Sequence, residues 1–144
     1  MLIVILIIAA TVLYTIFNLF VAKTGGAIND NLSAGIFNGL GGIIPLIIYF
    51  MIKSKGGVAT TKHGVIYALL AGVTISAFSI ILVNIFSKAA NVSFVLPVIY
   101  GGTVVLGAIA GIVLFKESVS AIGLIGLGVT TVGLSLVVYS HLTA

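Results

Sequence analysis

The chain holds only two carboxylates, Asp30 and Glu117, and only two histidines, His63 and His141. The histidines lie far apart in sequence and neither has a ligand-spaced partner, so no metal site is expected. Cysteine is absent, which excludes disulfides, thiolate ligands and a cysteine nucleophile. There is no G-x-S-x-G, no pair of aspartates, and no serine with a base at hand. Neither enzymatic activity nor a bound cofactor is therefore expected. The side chains left for recognition are amides, hydroxyls and phenols. Asn18, Asn38 and Asn84 stand inside apolar runs, and an amide in lipid is costly unless it is paired. Tyr14 and Tyr100 add an aromatic face with a hydroxyl, and Ser79 adds a small donor. These six residues are the candidates for lining a substrate cavity. Together they favour an uncharged or zwitterionic solute over a strong ion.

The elements that position them follow from composition. Of 144 residues, 61% are hydrophobic and 6% charged, and mean hydropathy is +1.43. A soluble domain carries about 25% charged residues. This chain cannot build such a surface, so lipid is its main solvent. Cutting at the charges leaves five apolar stretches, giving transmembrane helices at about 1–22, 32–53, 64–87, 92–115 and 119–140. Each is long enough to cross a hydrocarbon core of about 30 Å. Barrel strands would alternate polar with apolar, and "MLIVILIIAA" and "GIIPLIIYFMI" do not. The first stretch lacks the basic start and small-residue cleavage site of a signal peptide and is read as a helix. The fold class is thus an all-α membrane protein, and the connecting loops are too short to hold a soluble domain.

At 100° per residue, Thr11, Tyr14, Thr15 and Asn18 share one stripe of the first span. Gly35, Asn38, Gly39 and Gly42 do so on the second, and Gly72, Ser76 and Ser79 on the third. Gly35-x3-Gly39, Gly107-x3-Gly111 and Gly128 are read as packing surfaces, since small residues let membrane helices approach closely. Pro45 and Pro97 each remove a backbone donor within a span and mark expected kinks. Asn31-Leu-Ser33 and Asn91-Val-Ser93 read as glycosylation sequons, but both precede a span and are expected to serve as helix caps.

The net charge of +4 comes from single, scattered lysines, so a nucleic-acid partner is not expected. Lys53, Lys55, Lys62 and Lys116 fall in the second and fourth loops, against Lys23 and Lys88 in the first and third. The positive-inside rule then places the N-terminus in the cytoplasm and the C-terminus outside a cell (inner or plasma) membrane. The margin is narrow, as it is in chains that insert both ways round.

Residues 86–137, "FSKAANVSFVLPVIYGGTVVLGAIAGIVLFKESVSAIGLIGLGVTTVGLSLV", resemble the EamA-like families of the drug/metabolite transporter superfamily. The points of likeness are Pro97 near a helix start, Glu117 opening a short polar turn, and Ile122-Gly123 and Gly133 in a Gly-rich last helix. The first half matches more loosely, through an apolar opening helix and Lys23. The resemblance implies a single five-helix repeat where typical members carry two in inverted orientation. A cavity between repeats would then need a second copy, in an antiparallel homodimer, or a paralogous half-transporter. The chain departs from small multidrug-resistance relatives, whose first helix holds a Glu. The Lys116-Glu117 pair sits at a span boundary and is read as a turn-and-cap device, with Ser118 as the cap. Without a carboxylate inside a span, proton coupling is not expected. The functional expectation is a transporter of small organic metabolites. The alternatives are a non-transporting assembly partner or a subunit of a lipid-linked sugar flippase.

Overall fold

The computed structural model describes residues 2–52 and 61–143. Lys53 and Lys55, with the end of the second expected span, lie outside the described residues. Five helices follow in order: α1 (Leu2–Thr24), α2 (Asp30–Ile52), α3 (Lys62–Ser87), α4 (Val92–Leu114) and α5 (Ala121–Leu142). All five are long and apolar enough to cross a membrane, and no strand occurs among the described residues. The chain divides into two compact units, Met1–Ala89 with α1–α3 and Ala90–Ala144 with α4 and α5.

The helix ends show which residues set the boundaries. α2 starts at Asp30, two residues before the expected position, because Asn29 caps it. Asn29 Oδ1 accepts from the N–H groups of Asn31 (3.0 Å) and Leu32 (3.3 Å). Asp30 then sits in the first turn, where the helix dipole favours an anion. The capping expected of Asn31 thus belongs to Asn29. Ser33 is buried in the helix, with its hydroxyl on Thr24 Oγ1 at 2.7 Å. Asn91 does occupy the N-cap position of α4, but its side chain makes no cap hydrogen bond. α5 starts at Ala121, and Ser120, not Ser118, caps it by accepting from Gly123 N at 3.2 Å.

Two helices end on residues that L side chains adopt reluctantly. Ala89 follows α3 with φ 58°, and Lys116 follows α4 with φ 55°. After α4 the turn widens: Phe115 N–H donates to Ala110 O at 3.4 Å and Glu117 N–H to Gly111 O at 3.1 Å. The left-handed region costs a residue with a Cβ about 1–2 kcal/mol. Glycine removes that cost but loses about 0.5–1 kcal/mol of chain entropy on folding. Ala89→Gly and Lys116→Gly should therefore each stabilise the protein by about 0.5 kcal/mol. Thermal unfolding in detergent, followed by circular dichroism, checks this. A lowered midpoint in both would refute the left-handed assignment.

In the first unit α3 packs against both α1 and α2. Burial concentrates toward one end. Asn18 and Val21 on α1, Ser33 and Ala34 on α2, and Ser79, Leu82, Val83 and Phe86 on α3 are all buried. Toward the opposite end, Leu13, Ile44, Ile47, Leu69 and Val73 are exposed. The three helices are therefore tightly packed where α1 turns into α2 and where α3 ends. In the second unit α4 packs on α5, Val95 and Gly111 are buried, and the Phe94 ring stacks on His141 at a centroid distance of 3.9 Å.

Candidate functional site

Within the first unit, α1, α2 and α3 form an open-sided cleft of about 500 Å³. Tyr14, Asn38 and Ser79, three of the six candidate cavity residues, line it. Phe17, Phe37, Phe78, Gly41, Gly42, Gly72 and Ser76 complete most of the wall. Depth follows from the helix register. Tyr14 lies ten residues from Thr24, Asn38 eight from Asp30 and Ser79 eight from Ser87. At the helical rise this is about 12–15 Å from the packed end, close to the middle of a hydrocarbon core of about 30 Å.

Three polar side chains at this depth donate to their own helices. Asn38 Nδ2 donates to Ala34 O at 2.9 Å, Ser79 Oγ to Ile75 O at 2.7 Å and Ser76 Oγ to Gly72 O at 2.8 Å. Below the cleft, Asn18 is 1% exposed and its Nδ2 donates to Tyr14 O at 2.6 Å. No buried side-chain N or O among the described residues lacks a partner. The Ser76 and Ser79 hydroxyl donors are thus spent locally. An amide has more capacity: after its bond to Ala34, Asn38 retains a second N–H and the Oδ1 acceptor. Pro45 contributes indirectly. α2 runs through it, but Pro45 has no N–H for the carbonyl four residues back, which is that of Gly41, a cleft residue.

The packed end is tied by polar side chains. Asp30 Oδ2 accepts from Asn84 Nδ2 at 2.9 Å, and Asp30 Oδ1 accepts from Ser87 Oγ. Ser87 Oγ in turn accepts from Gly26 N at 3.3 Å. Asn84, expected in the cavity, therefore belongs to a separate polar recess with Asn29, Asp30 and Asn31. Its place near the end of α3 brings it to the start of α2.

Tyr100 lies on α4, in the second unit, and is half-buried. The groove in that unit, about 470 Å³, is formed instead by residues such as Gly102, Leu106, Thr131, Ser135 and Tyr139. Pro97 stands six residues into α4, which continues through it. Glu117 precedes the α5 cap by three residues. Its backbone N–H closes the end of α4, and its carboxylate lies over Gly111, within 2.7 Å of where a β-carbon would stand. Gly35, Gly39, Gly107 and Gly128, read as packing surfaces, have nothing within 4 Å of a β-carbon position among the described residues. Close approaches fall at Gly25, against the backbone of Phe86, and at Gly101, against Leu134, while Gly111 meets Glu117 and Gly123 meets Val119. A Gly-x3-Gly spacing defines a smooth face but not the helix that meets it.

Phe17, Phe37 and Phe78 went unremarked in the sequence because phenylalanine is ordinary in a membrane span. Their signal was position: Phe17 is one turn from Tyr14, and Phe37 and Phe78 adjoin Asn38 and Ser79. Among the described residues, no group of three or more His, Cys, Asp or Glu side chains is placed to hold a metal ion. No family model, curated protein or solved structure matches the chain.

Proposed function

We propose that the protein is a membrane transporter of small organic metabolites, working by alternating access as a dimer of five-helix repeats. The observation that carries this reading is the cleft at mid-depth of α1–α3, where Tyr14, Asn38 and Ser79 converge from three helices. Polar groups are costly in lipid and tend to mark solute pathways. Transporter sites lie near the bilayer midplane, beside irregular or proline-interrupted helices. Pro45 beside Gly41 meets that description. The buried residues Asn18, Val21, Ala34, Leu82 and Val83 pack one end below the cleft, as a single-sided access state requires, and the tie through Asp30, Asn84 and Ser87 lies beyond them. The resemblance of residues 86–137 to EamA-like repeats points the same way and calls for a second copy or a related half. With no carboxylate in the cleft lining, movement is facilitated diffusion or exchange, without proton coupling.

The small-residue faces at Gly35, Gly39, Gly107 and Gly128 favour a second reading, a non-transporting assembly partner whose helices dock on other membrane chains. One experiment separates the two. Proteoliposomes are loaded with a cell metabolite extract, and protein-dependent loss of each compound is followed by mass spectrometry. Transport predicts selective loss of a few solutes without an imposed pH gradient. It also predicts that Gly72→Leu, which fills the cleft where nothing lies within 4 Å, cuts that loss about tenfold or more while the protein still folds. An assembly partner predicts no selective loss and no effect of Gly72→Leu. Loss that requires a pH gradient and disappears in Glu117→Gln would overturn the uncoupled mechanism.

A further inference from the structure

We propose that the α1–α3 cleft takes a neutral, planar aromatic solute carrying a hydrogen-bond donor beside an acceptor. As the transported substrate, this solute rests on the reading above.

Three features of the cleft converge on that class. The first is its rings. Tyr14 and Phe17 stack with centroids 5.8 Å apart and planes at 15°, and Phe37 meets Phe17 edge-on at 5.3 Å and 78°. Phe78 adds a fourth ring from the third helix. Aromatic groups prefer these offset and edge-to-face contacts, so a flat ring entering the cleft extends a pattern already present. Other positions in the lining are small. At Gly41, Gly42 and Gly72 nothing lies within 4 Å of a β-carbon position, which leaves depth for a planar group.

The second feature is the polar set. Asn38 offers one further N–H and Oδ1, a donor and an acceptor side by side. Gly41, deprived of its usual helical donor by Pro45, adds a backbone acceptor one turn away. A carboxamide or a heteroaromatic ring with adjacent N–H and C=O matches that pair. A plain hydrocarbon ring does not, since it would leave the amide unpaired on binding.

The third feature is charge. No Asp, Glu, Lys or His lines the cleft. An ionised ligand would give up its hydration near mid-membrane with no counter-ion to replace it. Ring faces attract cations, but that attraction is smaller than the desolvation of an uncompensated ammonium. The absence of charge therefore selects against anions, cations and zwitterions, and the last of these is narrower than composition alone indicates.

The chain contains no Trp, so an indole probe is read against a dark background. Three probes share one ring and differ in charge: indole-3-acetamide is neutral, indole-3-acetate an anion and tryptamine a cation. Binding to the full chain in lipid nanodiscs is measured by probe fluorescence, with empty nanodiscs subtracting partition into lipid. The expected result is saturable binding of indole-3-acetamide, about tenfold or more tighter than either ion, and weakened about tenfold by Asn38→Leu and by Phe37→Leu. Phe37→Tyr keeps the ring and should keep binding, which separates loss of the site from loss of the fold. Equal binding of all three probes, tighter binding of an ion, no binding above empty nanodiscs, or wild-type affinity in both leucine variants would each overturn the proposal. Binding of indole-3-acetamide without selective metabolite loss from proteoliposomes would uphold the site and refute transport. Selective loss without binding of the amide would refute the aromatic class and uphold transport.

Discussion

A single methyl group added at Gly25 is expected to destabilise the protein by about 1–3 kcal/mol, the usual cost of overpacking a site that cannot relax. The added β-carbon would stand 2.6 Å from the carbonyl carbon of Phe86, 2.8 Å from Phe86 Cβ and 2.8 Å from the nitrogen of Ser87. Two of those three atoms are backbone, so no rotamer change relieves the overlap. Either the α1–α2 turn or the end of α3 must move. Movement there also stretches the Gly26 N–H bond to Ser87 and separates Asp30 from Asn84 and Ser87, whose contacts close the packed end. Neighbouring glycines supply controls because each is glycine for a different reason. Gly26 has φ +71° and open space around it, so Gly26→Ala should cost about 1–2 kcal/mol through backbone strain alone. Gly35 lies within α2 with nothing within 4 Å, so Gly35→Ala should gain up to about 1 kcal/mol of helix propensity. Unfolding by sodium dodecyl sulfate in mixed micelles, followed by circular dichroism, ranks the three. If Gly25→Ala behaves like Gly35→Ala, the close approach of the α1–α2 turn to α3 is wrong.

The same glycines mark how far the sequence could be read. The five helices were legible because hydrocarbon thickness fixes span length, and a chain with so few charges has few places to turn. The ends were less so. α2 and α5 begin where Asn29 and Ser120 accept backbone donors, and several nearby Asn and Ser residues are chemically eligible for that role. The helical stripes hold Tyr14, Asn38 and Ser79, which line one cleft, because a polar group in lipid faces other helices. The same rule misplaced Asn84, since a helix end touches a loop that periodicity does not describe. Glycine was ambiguous throughout. Its spacing is alike at Gly35-x3-Gly39, which meets open space, and at positions that pack. Gly25, which packs against backbone, lies in a turn outside any stripe. The pairing of Asp30 with Asn84 and Ser87 joins residues more than fifty positions apart, and nothing local encodes it.

Asn18→Asp tests whether the packed end is dry. Asn18 is 1% exposed and sits six residues from the end of α1, about 9 Å inside it at the helical rise. Aspartate keeps the shape of the amide but loses the Nδ2 donor to Tyr14 O and brings a charge. The Tyr14 carbonyl keeps its backbone donor within the helix, so the lost hydrogen bond accounts for about 1 kcal/mol. The charge dominates. On insertion scales an aspartate at the centre of a membrane helix costs about 2.5–3.5 kcal/mol. The expected loss is therefore about 3 kcal/mol or more, a shift of roughly a hundredfold in the folded-to-unfolded ratio. Asn18→Leu removes the amide without adding charge and should cost less than Asn18→Asp. Detergent unfolding of the two variants reads the difference between them, which isolates the charge. A difference near zero would mean that water reaches Asn18. The packing of Val21, Ala34, Leu82 and Val83 would then fail to seal that end, and the cleft would be open to both sides of the membrane at once. That state is a channel, and it would replace alternating access with a pore.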